Sequence, residues 1–347
     1  MMSVVSFAVG RRAMYLETKR DLSSMQLDII VPLFNEADNI HLFLAEVVRV
    51  LDALPCSYCI LFIDDGSQDA TLDILLEMQQ RYHFIKIICF TRNFGKEAAL
   101  TAGLEYAQGG ICIPMDADLQ HSPALIPDML RKWEAGCNHV IAVRRSRKTD
   151  TILKRMCSFL FYKLFNAMSD IKILSNAGDF RLLDRTIVNR LLQLKERNRF
   201  MKGLYAWVGG PVEIIYFEAR ERFQGMSSFN FRSLLKFSYD ALTAFTTIPL
   251  RLWSSVGFFI CVVSGIYSIY LIINHFLYRA TVPGHTSLML VILFFGGIQL
   301  VSLGIIGEYL SRLFIESKRR PIYMVERVYE NQNNPIPKPH FDRVRGA

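Results

Sequence analysis

The residues best suited to do chemistry lie in Ile111-Cys-Ile-Pro-Met-Asp-Ala-Asp-Leu-Gln120, an apolar run that ends in two carboxylates and an amide. On an extended backbone, side chains at i and i+2 point the same way. Asp116, Asp118 and Gln120 would then offer three oxygens at one strand end. Hard divalent cations such as Mg²⁺ or Mn²⁺ take such ligands and share their shell with substrate phosphates. One reading of the stretch is therefore a metal–diphosphate site. The other is an acidic turn before a helix, with Ser122 as cap and Pro123 in its first turn.

The flanking pattern decides where such a site would sit. Apolar strand-like runs at 27–32, 58–63, 85–90, 111–115 and 139–143 alternate with helical spacings. In the first helix the apolar positions are Ile40, Phe43, Leu44, Val47, Leu51 and Leu54; further helices are predicted over 95–107 and 123–135. Alternation of this kind implies an α/β fold with a mainly parallel sheet and right-handed crossovers. Ligands bind such sheets beyond the carboxyl ends of the strands. Those ends carry Asn35-Glu36, Asp64-Asp65-Gly66-Ser67, Arg92-Asn-Phe-Gly-Lys96, Asp116-Ala-Asp118 and Arg144-Arg-Ser-Arg-Lys148, a polar rim. No G-x-G-x-x-G or Walker loop is present, which argues against dinucleotide enzymes and P-loop NTPases.

The chain has 347 residues and a net charge of +8. Its pI is about 9.1 and its mean hydropathy is +0.22. Anionic partners fit that balance. The basic residues gather near apolar segments and not on a stripe with interleaved aromatics, so nucleic acid is not expected. The seven scattered cysteines read as reduced core residues.

Two stretches, 252–274 and 287–306, contain no Asp, Glu, Lys or Arg. Each exceeds or equals the ~20 residues that cross a hydrocarbon core. Lys236, Arg251, Arg312, Lys318, Arg319 and Arg320 flank the outer ends, so the positive-inside rule places both termini in the cytoplasm. Basic amphipathic patterns at 152–168 and 229–245 suit a membrane interface; for the first, a core helix with a solvated basic face fits equally well. The expected organisation is an extension (1–26), a catalytic domain (27–228), a juxtamembrane segment (229–251), two transmembrane helices (252–311) and a cytoplasmic tail (312–347). A strand is expected within 320–329, and the Pro- and Asn-rich end beyond it reads as disordered.

Pro32-Leu-Phe-Asn-Glu36, Asp64-Asp-Gly-Ser67, Asp116-Ala-Asp-Leu-Gln120 and Gly178-Asp-Phe-Arg181 together resemble family 2 glycosyltransferases of the polyprenyl-phosphate type. The bacterial bactoprenol (undecaprenyl-phosphate) glucosyltransferases share more: Thr91-Arg-Asn-Phe-Gly-Lys-Glu97, Phe200-Met-Lys-Gly203, Trp207-Val-Gly-Gly210, Pro249-Leu-Arg251 and Gly307-Glu-Tyr309. Dolichyl-phosphate mannose synthases are a more distant branch. The resemblance implies a GT-A-type Rossmann-like fold in a multi-pass protein of the bacterial inner membrane. It implies inverting transfer of a sugar, glucose from UDP-glucose foremost, to undecaprenyl phosphate at the cytoplasmic face, with Mg²⁺ or Mn²⁺. It also makes a homo-oligomer reasonable. Another sugar (an aminoarabinose derivative or mannose) or an inactive nucleotide-sugar-binding subunit are the alternatives.

By position in the family motifs, Pro32, Phe34 and Glu36 would line ribose and base, and Ile63 and Asp65 would finish the base pocket. Asp116, Ala117 and Asp118 with Gln120 would bind metal and diphosphate. Arg144 and Arg155 would lie near the sugar and the acceptor phosphate, and Arg222 would contact the diphosphate from a loop. Asp179 would orient the acceptor or take a proton, unless it caps a helix. Relatives carry Lys where this chain has Ser228, with Arg232 a candidate substitute.

Overall fold

The computed structural model describes residues 20–145, most of 162–218, scattered residues between 257 and 273, and 284–330. The chain divides into two compact units. One comprises 1–163, 171–231 and 321–347; the other comprises 164–170 and 232–320.

The first unit is built on β1 (Gln26–Leu33), β2 (Ser57–Asp64), β3 (Ile85–Phe90) and β4 (Ile111–Pro114). β3 and β4 are buried along their whole length, as continuous apolar runs must be when both sheet faces are covered. The helices between them are α1 (Ala37–Leu51), α2 (Thr71–Arg81) and α3 (Lys96–Tyr106), of which α1 and α3 lie close to their predicted spans. A 3₁₀ turn (Pro123–Leu125) and α4 (Ile126–Glu134) replace the single helix predicted over 123–135, and β5 (His139–Arg144) follows. The buried face of α1 is Ile40, Phe43, Leu44, Val47 and Leu51, the stripe its spacing predicts. α3 lies so close to the sheet that a Cβ on Gly103 would sit 2.1 Å from Ile30 Cγ2.

Four elements were not assigned from the sequence: β6 (Ala177–Asp184), α5 (Arg185–Gln193), α6 (Met201–Val208) and β7 (Val212–Phe217). A last strand, β8 (Val325–Tyr329), falls within the expected 320–329. The sheet order is β7-β5-β6-β4-β1-β2-β3-β8. The β1–β2, β2–β3, β1–β4 and β5–β7 pairs are parallel. β6 runs antiparallel to β4 and β5, and β8 antiparallel to β3. The expected mainly parallel sheet is present, with two reversed strands. From β1 the chain builds outward through β2 and β3, then returns to lay β4 on the other side of β1. That reversal is a topological switch point, where open α/β sheets place ligands.

Described residues toward both ends of the first unit are tied down. Within the segment read as an N-terminal extension, Leu22 joins the core and the Arg20 guanidinium lies 5.1 Å from the Trp133 ring centre. Beyond the apolar helix, Tyr323 stacks on Phe90 at 4.9 Å and hydrogen-bonds Glu105. The Thr91 N–H donates to Met324 O at 3.0 Å. Five cysteines (56, 59, 89, 112 and 137) are buried and free, as expected of core thiols.

The second unit is dominated by α7 (His285–Ser317), 33 residues long. Its span Phe294–Ser317 is long and apolar enough to cross a membrane, and none of it is buried against protein. The helix runs eleven residues past the charge-free stretch that ends at 306, and six past the expected boundary at 311. An i,i+4 pair, Arg312 Nη2 to Glu308 Oε1 at 3.0 Å, supports that extra length. Of the other predicted span, the described residues between 257 and 273 are helical. The amphipathic segment at 229–245, most of the one at 152–168, Arg155, Arg222, Ser228, Arg232 and the Pro- and Asn-rich end lie outside the described residues.

Candidate active site

Three loops meet beyond the carboxyl ends of β1, β2 and β3, and side chains lace them together. Asn35, in the left-handed region at φ 54°, accepts from the Gln68 N–H through Oδ1 at 2.8 Å. Its own N–H donates to Ser67 Oγ at 3.0 Å. The Glu36 N–H donates to Thr71 Oγ1 at 3.0 Å. Gly66 has φ 70°, and a Cβ there would lie 2.5 Å from the Arg92 carbonyl carbon, so the turn after β2 packs directly on the turn after β3.

These contacts separate surface from support. Phe34 is 43% exposed, while Pro32 and Glu36 are half-buried. Ile63 and Asp65 are buried. The Asp65 carboxylate accepts from the Phe94 N–H at 2.6 Å and the Gly95 N–H at 2.8 Å. Burial pushes its pKa up against the opposing pull of those two amides. Ile63 and Asp65 thus lie beneath the rim, and Asp65 holds the loop that leads into α3.

The carboxylates of the central motif face outward. β4 ends at Pro114, earlier than predicted, and a turn with Leu119 at φ 54° follows. Alternation nevertheless persists: Ala117 and Leu119 are buried, while Asp116, Asp118 and Gln120 are half-buried. The Gln120 N–H donates to Asp118 Oδ1 at 3.1 Å, a local bond that keeps this turn closed.

Lys96, at the first turn of α3, had been given no role by the sequence. Its Nζ lies 2.7 and 2.8 Å from the two oxygens of Asp116 and 3.0 Å from Asp179 Oδ2. The side chains of Lys96, Asp116 and Asp179 are 43%, 33% and 15% exposed. Burial disfavours the Lys96 charge, but the two carboxylates outweigh it and raise its pKa. For Asp179, burial is outweighed by Lys96, Lys202 and Arg181, which hold the acid well below the usual carboxylate range. Asp179 sits inside β6, so it caps no helix.

A second layer stands behind. Glu97 accepts from the Met201 N–H, at the start of α6, at 3.0 Å. Burial and the nearby Asp179 push its pKa up to about 7. The Arg181 guanidinium lies 3.8 Å from the Tyr205 ring centre and donates to Gly178 O. His139, 3.4 Å from Arg181 Nη1, is driven down to about 3 by burial and that cation. His121 packs against Phe180 and Phe217 with centroids 5.3 Å away, and its Nδ1 has no hydrogen-bond partner. Burial lowers its pKa, so the ring is held neutral beside the acidic rim.

Arg144, half-buried, ends β5. The structure thus gathers Asp116, Asp118, Gln120 and Asp179 with Lys96, and laces the Pro32–Glu36 loop to the turn after β2. No signal along the chain joins Lys96 or Glu97 to Asp179, because 83 and 82 residues separate them.

The donor set matches a hard cation in type, since Asp116, Asp118 and Gln120 all present oxygens. Among the described residues, no group of three or more His, Cys, Asp or Glu side chains is placed to hold an ion. Two carboxylates suit a cation whose remaining ligands are phosphate oxygens and water.

Residues 28–192 match glycosyl transferase family 2, and residues 248–313 match the GtrB C-terminal hairpin. An uncharacterized glycosyltransferase of Synechocystis is 44% identical over 315 residues, covering 91% of this chain and 99% of that protein. The bactoprenol glucosyl transferase of Shigella phage SfV is 42% identical over 302 residues, covering 87% and 98%. A prophage bactoprenol glucosyl transferase homolog of Escherichia coli K12 is 41% identical over 304 residues, covering 88% and 99%.

Proposed function

The chain belongs to glycosyl transferase family 2, and on that premise we propose that it transfers glucose from UDP-glucose to undecaprenyl phosphate at the cytoplasmic face of a bacterial inner membrane. One observation carries the reading. Similarity to bactoprenol glucosyl transferases, at 41–42% identity, spans the sheet, the rim and the apolar hairpin together, over 98–100% of those proteins.

Asp116, Asp118 and Gln120 would hold Mg²⁺ or Mn²⁺ together with the donor diphosphate. When bound there, the ion would supply charge neutralisation for the departing UDP. Arg222 adds a positive charge to the same group. Phe34, Glu36 and Pro32 receive the nucleoside on the face that Asp65 and Ile63 support from below. Arg144 and Arg155 draw in the acceptor phosphate. A phosphate monoester has its second pKa near ~6, so it arrives ionised and needs little help from a base. Asp179, held ionised by Lys96, is a weak base, and as a hydrogen-bond acceptor it can orient only an acceptor phosphate that still carries its proton. A single displacement inverts the anomeric centre, so an α-linked donor yields a β-linked lipid phosphate.

Incubation of the purified protein with undecaprenyl phosphate, Mn²⁺ or Mg²⁺ and a panel of UDP-sugars, read by mass, tests the reading. UDP-glucose should give the glucosylated lipid. Asp118→Ala should cut the rate by about 10²–10³-fold, the scale seen when charge stabilisation in a transition state is removed. A different sugar as sole substrate would replace glucose. Full turnover by Asp118→Ala would remove the ion from the mechanism. No transfer from any donor would leave a nucleotide-sugar-binding subunit.

A further inference from the structure

Lys96 occupies both oxygens of the carboxylate that the proposed reaction needs for its cation. One ammonium engages Asp116 through Oδ1 and Oδ2 at 2.7 and 2.8 Å and holds Asp179 at 3.0 Å. A divalent ion and this ammonium are competitors for the same lone pairs.

The backbone beneath Lys96 is held in place. Gly95, at φ 98°, and Phe94 donate their N–H groups to buried Asp65, so the start of α3 does not move freely. The side chain is held only by ion pairs: it is 43% exposed and carries its charge on a four-carbon stem with rotatable bonds, so it can swing away without moving the helix. Asp179 offers a second partner, so an ammonium that leaves Asp116 stays in the site. The protein also supplies few acidic ligands there, since among the described residues no three acids or histidines are placed around an ion. A metal arriving alone would have to displace Lys96 with little gained in return.

We propose that Lys96 is a placeholder cation, which fills Asp116 in the free protein and yields it when metal and donor diphosphate arrive together. The diphosphate brings the negative charge that compensates the released ammonium. Ion and nucleotide therefore bind with strong positive coupling, and by linkage each tightens the other equally. The proposal rests on Asp116 being a metal-holding residue in the reading above.

The test is Mn²⁺ binding to the full-length protein in detergent, followed by electron paramagnetic resonance of free Mn²⁺, with and without UDP. If Lys96 fills Asp116 about nine-tenths of the time, Lys96→Met should bind Mn²⁺ alone about tenfold more tightly, because the competent fraction rises by that factor. The extra tightening that UDP causes should shrink correspondingly. Lys96→Arg, which keeps the charge, should follow the wild type. Lys202→Met removes a positive charge acting on Asp179 and Glu97 but not bonded to Asp116, and should change Mn²⁺ affinity far less.

Unchanged or weaker Mn²⁺ binding by Lys96→Met would overturn the placeholder, as would equal tightening by Lys202→Met. Should Lys96→Met not fold, the wild type still decides: without at least about tenfold coupling between Mn²⁺ and UDP the idea fails. Sugar transfer with unmoved Mn²⁺ affinities would sink the placeholder alone. A wild type that binds no Mn²⁺ even with UDP would sink the metal reading and the placeholder with it.

Discussion

Glu97 follows Lys96 in the chain but sits in a different electrostatic setting. Burial and Asp179 raise its carboxyl from the ordinary 4.5 to about 7. Between those two values the folded protein holds a proton that the unfolded chain has released. Stability therefore falls as pH rises through about 4.5 to 7, and the loss is complete above it. Asp179 has the opposite sign: its acid is depressed, so its contribution is present at neutral pH and is lost on acidification below the ordinary range. Glu97→Gln removes the first dependence. Its stability relative to wild type should rise between pH 5 and 7.5, by about 1–3 kcal/mol at one pKa unit per 1.36 kcal/mol. Thermal melts at several pH values read this, and a pH-independent difference would show that Glu97 does not titrate there. Neither behaviour is legible along the chain. The sequence marks Asp116 and Asp118 by their spacing, whereas the charge states of Glu97 and Asp179 come from neighbours brought in by α3, β6 and α6.

Among the elements, the central strands were legible as apolar runs and α1 by its strong periodicity, and both are buried as that pattern implies; α3, buried on nearly every side, carries no such stripe. β6 was not legible. It carries Asp179, Arg181 and Asp184 in a buried strand, a pattern that reads as a loop until Lys96, Tyr205 and Trp133 are seen to satisfy those charges. β8 was expected as a strand, but its partner was not. It closes the β3 edge, and Tyr323 just before it stacks on Phe90. Tyr323→Ala should cost about 3 kcal/mol, the scale for deleting a buried aromatic ring. Tyr323→Phe, which loses only the bond to Glu105, should cost about 1 kcal/mol. Equal melting temperatures for the two variants would mean the ring contributes nothing beyond its hydroxyl.

On the scale of the molecule, the first unit is completed by chain that lies beyond the apolar helix. A protein cut after residue 250 loses β8 and leaves the buried strand β3 with an open edge, the kind of edge that invites aggregation. Replacing 251–320 by a long Gly/Ser linker keeps β8. We predict that the linker variant is soluble and binds UDP-glucose, but glucosylates lipid in membranes at least about tenfold more slowly, because the two components no longer share a surface and effective concentration falls. The simple truncation should instead precipitate. Comparable solubility for the two proteins, followed by size-exclusion chromatography, would show that β8 is dispensable.

Sequence alone determined the alternating α/β order, the acidic motif beyond a buried strand, the apolar segments and, through its ordered set of motifs, the family. Those features are written in periodicity and in short runs of neighbouring residues, which local backbone geometry reads directly. The tertiary structure decided which charges meet. Lys96 joins Asp116 and Asp179 across 20 and 83 residues, and β8 pairs with a strand more than 230 residues earlier. Contacts at such separations depend on strand order and register, quantities that no local pattern in the chain encodes.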